Sequence, residues 1–206
     1  IQDQQIDESV RNILGVKFRL GLFESPFTDT DTLAKIDRDE ALLASKEAAI
    51  QSVVLLKNQG QLLPLEKERL NAIAVIGPMA DAPVEQLGTW VFDADPSISQ
   101  TPLQSIYEHL EDVVSVNYEP GLVNSRDKSR HGFAAAKCIA EQSDLVVLFL
   151  GEEAILSGEA HCRADIGLPG AQEALVDEIV ETGKPVIAVV MAGRPLTIEK
   201  LSSKVD

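Results

Sequence analysis

Residues 151–165, GEEAILSGEAHCRAD, gather three glutamates, a histidine, a cysteine, an arginine and an aspartate directly after the apolar run LVVLFL. A loop of this length at the end of a rigid strand is where catalytic groups tend to be carried. A glutamate there can act as a general acid or base if its neighbours bring its pKa toward the working pH. His161 and Cys162 with a glutamate also raise zinc. Adjacent His and Cys make poor ligand spacing, and no fourth ligand stands nearby, so no metal is expected. The plain alternative for the whole stretch is a solvated acidic turn.

Two other loops invite chemistry. Residues 87–93, LGTWVFD, hold the single tryptophan of the chain, Trp90. A flat ring in a polar, glycine-containing loop suits a platform for a sugar; the alternative is a tryptophan that closes the edge of the core. Residues 77–81, GPMAD, follow the run AIAVI, where a phosphate loop can begin. The G-x-G-x-x-G pattern is missing and Pro78 lacks an amide donor, so a structural turn is the better reading.

These loops need strands to position them, because ligands in open α/β sheets bind beyond the carboxyl ends of the strands. Apolar runs of strand length occur at 53–56, 72–76, 113–116, 145–150 and 186–191. Helical patterns fall between them, near 102–110, 129–141 and 170–182, with Cys138 expected in the core face of the second. LVVLFL and PVIAVVM are apolar on both faces, as in central strands of a parallel sheet covered by helices on each side. Ahead of this region, Ile6, Val10, Ile13, Leu14 and Phe18 recur at helical spacing with Gly21 placed to stop the helix. A second helix is expected over 37–52, with Asp37 as its cap and Glu40 three residues on. The expectation is an α/β fold, a three-layer αβα sandwich with a mostly parallel sheet, preceded by a helical arm and linker. The arm and linker cover 1–37 and the sandwich 38–206. The last residues, RPLTIEKLSSKVD, begin a helical segment without closing another βα unit, so the sandwich is expected to be truncated.

Composition narrows the partners. Lys and Arg total 18 against 33 Asp and Glu, a net charge of −15, and 45% of residues are apolar. Eight acidic residues between Asp81 and Pro120 stand without a single Lys or Arg. Such a surface repels phosphate backbones and anionic headgroups, so neither nucleic acid nor membrane is an expected partner. No apolar run reaches the length of about 20 residues that spans a bilayer as a helix. Two cysteines, Cys138 and Cys162, are too few for a disulfide framework.

Read together, six blocks resemble the C-terminal portion of glycoside hydrolase family 3, the β-glucosidase-type family. VRNILGVKFRLGLFE (10–24) is similar to the helix leaving that family's catalytic barrel, and SVVLLKNQGQLLPL (52–65) to its linker into the sandwich. IAVIGPMAD (73–81) and LGTW (87–90) match the next two blocks. LGEEAILSGEAHCR (150–163) with ADIGLPG (164–170) resembles the active-site loop, and GKPVIAVVMAGRPL (183–196) completes the series.

The resemblance implies an N-terminal (β/α)8 barrel joined to an α/β sandwich, with the active site between them. It places the catalytic acid/base at Glu159, within Ser-Gly-Glu-Ala, with Glu152 as the runner-up that orients the loop. On the substrate side it puts Trp90 near the mouth of the sugar site and Arg163 as a brace for the acid/base loop. It implies a retaining exo-β-glycosidase acting on a β-linked glucoside or oligosaccharide, with no cofactor, and a periplasmic or secreted setting. The family's nucleophile, an aspartate on the barrel, and the barrel's sugar-gripping residues have no counterpart in these residues. His161-Cys162 and Gly167 also depart from the family's pattern. The chain is therefore expected to carry the acid/base half of a site and to be inactive alone. The competing class is a non-catalytic carbohydrate-binding or interaction module.

Overall fold

The computed structural model describes residues 2–32, 38–93, 95–110 and 113–206. The chain divides into two compact units, Ile1–Val54 and Leu55–Asp206.

The first unit holds helices α1 (Asp3–Arg19) and α2 (Arg38–Ser52), neither with a buried residue. Gln5 Oε1 accepts from the Gln2 amide at 3.1 Å, supplying a partner at the start of α1. At its end Gly21 adopts φ +68°, and the Leu22 amide reaches back to the Lys17 carbonyl at 3.1 Å. This left-handed glycine stop is the one Gly21 was expected to make. The expected cap at Asp37 lies outside the described residues.

Residues 53–56 do not form the expected strand. Val53, Val54, Leu55 and Leu56 are 65–78% exposed and carry no regular structure. An apolar run has the composition of a strand, but only a hydrogen-bonding neighbour makes it one. Beyond it the Lys-Asn turn is built as a clasp. Asn58 both accepts from the Leu63 amide (3.0 Å) and donates to the Leu63 carbonyl (2.8 Å). Lys57 Nζ donates to the carbonyls of Ser202 (2.9 Å) and Val205 (2.5 Å), the last turn of the chain.

The second unit is a four-stranded, wholly parallel sheet in the order β2-β1-β3-β4. Its strands are β1 (Ala72–Ile76), β2 (Ser115–Glu119), β3 (Leu145–Gly151) and β4 (Val186–Met191). Helix α3 (Pro102–Leu110) joins β1 to β2, α4 (Phe133–Glu141) joins β2 to β3, α5 (Gln172–Val180) joins β3 to β4, and α6 (Glu199–Ser202) follows β4. Alternation in β3 splits the core in two. Val146, Leu148 and Leu150 pack with Phe133, Ala136, Leu175, Ile179 and Leu201 from α4, α5 and α6. Leu145, Val147 and Phe149 face the other way, with Ile73, Val75, Met79 and Leu103 of α3. Every residue of β3 is buried, which is why its sequence reads as an unbroken apolar run. The three-layer αβα sandwich is thus formed.

Strand β2 sits two residues later than the run at 113–116 suggested. It pairs from Ala72↔Ser115 to Ile76↔Glu119, and as an edge strand it tolerates Asn117 and Glu119. Cys138 is exposed rather than in the core. The face α4 buries is Phe133, Ala136 and Ala140, and Cys138 lies off that stripe, accepting from Gln142 Nε2 at 3.2 Å.

Candidate active site

The carboxyl end of β3 is fixed by backbone packing before any side chain is considered. Gly151 has φ +142°, and a Cβ on it would run into the carbonyl of Met191 in β4. Gly77, just past β1, has φ +122°, and a Cβ there would likewise run into the Phe149 carbonyl. Gly77 therefore makes a structural turn, closed by the Ala80 amide on its carbonyl at 3.3 Å.

Gln172, fully buried at the start of α5, ties this end to its surroundings. Its Oε1 accepts from the Gly151 amide at 2.8 Å. Its Nε2 faces the carbonyls of Gly151 (2.8 Å), Ser125 (2.9 Å) and Pro169 (3.1 Å). One amide side chain thus joins the end of β3, the loop after β2 and the approach to α5.

The next residue, Glu152, is a buried carboxylate whose side chain has no solvent exposure. Arg163 pairs with its Oε1, and Arg194 Nε donates to its Oε2 at 3.1 Å. Each arginine also holds backbone. Arg163 donates to the Gly167 carbonyl at 2.9 Å, and Arg194 to the carbonyls of Leu156 and His161, the latter at 3.1 Å. Charge-assisted bonds of this kind are roughly twice as strong as neutral ones. Glu153 turns to the other side, where Arg126 grips it through Nε (3.0 Å) and Nη2 (3.1 Å) and Ser125 Oγ donates at 2.6 Å. Arg126 holds the Glu153 carboxyl below the ordinary glutamate range against the opposing effect of burial, and Glu153 raises Arg126 in return.

Between these anchors the loop rises into a tight turn. Gly158 has φ +107° and a Cβ there would lie 2.8 Å from Thr89 Oγ1. The His161 amide closes on the Gly158 carbonyl at 3.2 Å, and Ala160 between them takes φ +62°. A non-glycine residue in that region costs about 1–2 kcal/mol and persists where its surroundings hold it. Glu159 is at the tip of this turn, exposed, with no hydrogen-bond partner among the described residues. His161 Nδ1 lies 3.0 Å from the Ser157 carbonyl.

The tryptophan loop meets the same turn. Thr89 Oγ1 donates to the Ser157 carbonyl at 2.5 Å, so Trp90, 62% exposed, stands on a segment bonded to the residue two before Glu159. Trp90 is not the closing piece of the core. The structure thus brings the Trp90 loop, the Glu159 turn and Arg163 to one end of the sheet. Arg163 is engaged with Glu152 and the Gly167 carbonyl. Sequence reasoning missed Arg194 and Gln172. Arg194 follows β4 at the strand end where ligand loops belong, a signal within reach; Gln172 has no such signal. Among the described residues no three His, Cys, Asp or Glu side chains converge as a metal site, and no helix is long and apolar enough to cross a membrane.

Residues 53–206 match the glycosyl hydrolase family 3 C-terminal domain, and the chain belongs to that family. It is 35% identical over 97% of its length to a beta-xylosidase of Formosa agariphila, covering 28% of that protein. It is 32% identical over 98% of its length to a periplasmic beta-glucosidase of Salmonella typhimurium, covering 29% of it. A beta-glucosidase from Listeria innocua solved in complex with isofagomine superposes over the whole chain with a TM-score of 0.86 at 33% identity, and the chain spans 28% of that structure. The chain therefore spans under a third of the relatives it matches.

Proposed function

We propose that this chain supplies the acid/base half of the active site of a retaining exo-β-glycosidase, with Glu159 as the acid/base. The observation that carries the reading is the position of Glu159 at the exposed tip of a turn beyond β3, held from below by Glu152, Arg163 and Arg194. Retention of configuration uses two carboxyl groups about 5–5.5 Å apart, a nucleophile and an acid that later becomes the base. Glu159 gives its proton to the departing glycosidic oxygen, then removes one from the water that releases the sugar. The nucleophile belongs to a (β/α)8 barrel preceding residues 1–37, which form the arm and linker leaving it. Trp90 offers its exposed face to the sugar or its leaving group, while Arg163 braces the turn. Terminal β-linked glucose or xylose are the substrates in view, since relatives bear those names.

The test is Glu159→Gln in the intact enzyme, assayed on two β-glycosides. One has an alkyl leaving group, which needs protonation; the other has a dinitrophenyl group, which does not. Loss of general acid catalysis costs about 10²–10⁴-fold. In kcat/KM, which reports formation of the glycosyl-enzyme, it should fall on the alkyl substrate with far less effect on the activated one, whose kcat drops only because release of the sugar lacks its base. Unchanged turnover of the alkyl glycoside would remove Glu159 from the role. The polypeptide 1–206 alone should turn over neither substrate.

A further inference from the structure

We propose that Glu152 is the positioning residue for the acid/base, acting through the two arginines it holds; this rests on the assignment of Glu159. The geometry is specific. A single buried carboxylate, emerging at the end of β3, divides its oxygens between Arg163 and Arg194. Two positive charges on one negative charge leave an excess, and the backbone of the loop absorbs it through the carbonyls of Leu156, His161 and Gly167. Leu156 precedes Glu159 by three residues and His161 follows it by two, so Arg194 grips both stems of the turn. Arg163 holds the loop further on.

Glu152 is thus the common point from which the turn is suspended. Removing its charge leaves two guanidinium groups facing each other with no anion between them. They separate, and the carbonyls they hold move with them. The Glu153 side chain, by contrast, pairs with Arg126 and Ser125 of the loop after β2, and its carboxylate holds neither arginine that grips the turn. The Glu159 carboxyl then drifts from the glycosidic oxygen. A displacement of about 1 Å at a reacting group is enough to cost about 10²-fold in rate.

A positioning role differs from a purely structural one in which substrates suffer. The experiment measures kcat and KM of the intact enzyme for the alkyl and dinitrophenyl β-glycosides in Glu152→Gln, Glu152→Asp and, as reference, Glu159→Gln. The expected result for Glu152→Gln is a kcat/KM about 10²-fold lower on the alkyl glycoside, carried by kcat, and within a few-fold of the parent on the dinitrophenyl glycoside. Glu152→Asp keeps the charge and should recover part of the loss. Should Glu152→Gln fail to fold, Arg194→Lys, which keeps a cation but loses the fork, takes its place with the same expected pattern. An equal loss on both substrates, or none on either, overturns the proposal. If Glu159→Gln shows the leaving-group dependence and Glu152→Gln does not, the positioning role alone fails. If neither does, the assignment of Glu159 fails and this proposal with it.

Discussion

Replacing Gln172 with leucine tests whether one buried side chain holds the site's floor in place. The Gly151 amide has a single hydrogen, and that hydrogen is given to Gln172 Oε1. In Gln172→Leu it is stranded, at a cost of about 1–3 kcal/mol for a buried unsatisfied group. The carbonyls of Gly151, Ser125 and Pro169 lose Nε2 as well, adding about as much again between them. Leucine returns about 1–2 kcal/mol by burying apolar surface in place of the amide. The net loss is about 1–4 kcal/mol. In a domain of this size each kcal/mol moves Tm by about 2–4 °C, so the shift is about 2–16 °C. Thermal unfolding of the variant beside the parent reads it directly, and hydrogen exchange at the Gly151 amide should accelerate. Gln172→Glu sharpens the test. It keeps the acceptor for Gly151 but turns a carboxyl toward three carbonyl oxygens, so the buried acid favours its protonated form. Its folded pKa is raised above the unfolded value of about 4.3. That variant is therefore least destabilised at acid pH and loses stability as pH rises through the folded pKa. A Gln172→Leu protein within about 0.5 kcal/mol of the parent would refute the accounting.

Gly151→Ala places a methyl group against the Met191 carbonyl at φ +142°, combining backbone strain with overpacking. Urea unfolding should show about 2–5 kcal/mol of lost stability, and a neutral outcome would mean the strand ends are less tightly apposed than described. Acid should destabilise the fold through carboxylates held below their ordinary range: Asp127 by the Ser129 and Val123 amides, Asp144 by the Asn71 and Ala72 amides, Glu153 by Arg126. A depressed folded pKa contributes stability above the unfolded value of about 4 and loses it as pH falls further. Tm should therefore drop below about pH 4, and Asp144→Asn should lessen the drop. An identical acid profile for that variant would count against the role of Asp144.

Much of the sheet was legible because burial on both faces leaves a simple mark. β3, buried throughout, reads as a continuous apolar run, and the helical pattern at 102–110 became α3. β4 reads like a central strand too, yet it is the other edge of the sheet, with Val186 buried and the rest half-buried. Where burial is one-sided the mark fades: β2 carries Asn117 and Glu119 at the edge, and the apolar letters at 113–116 pointed two residues too early. The run at 53–56 has the composition of a strand but pairs with no strand among the described residues, and pairing is not written in one segment. Cys138 shows the same limit on a helix, since apolar neighbours on both sides do not say which stripe faces inward. At the candidate site, the crowding of charged residues after LVVLFL marked the loop, and Arg163 lies only 11 positions from Glu152. Arg194 is 42 positions away, and its convergence on the same carboxylate follows from β3 and β4 being neighbours. Gln172 reads as an ordinary polar residue at a helix start; its four backbone partners exist only once three segments have met.

The most direct test of the central claim is rescue of Glu159→Ala in the intact enzyme by azide, on a substrate with an activated leaving group. Such a substrate forms the glycosyl-enzyme intermediate without acid help, and the intermediate then waits for a base that is missing. Azide needs no base and fits the space the carboxyl vacated. The account predicts that turnover rises with azide concentration and that the product is a β-glycosyl azide of retained configuration. Turnover indifferent to azide, or a product of inverted configuration, would contradict it.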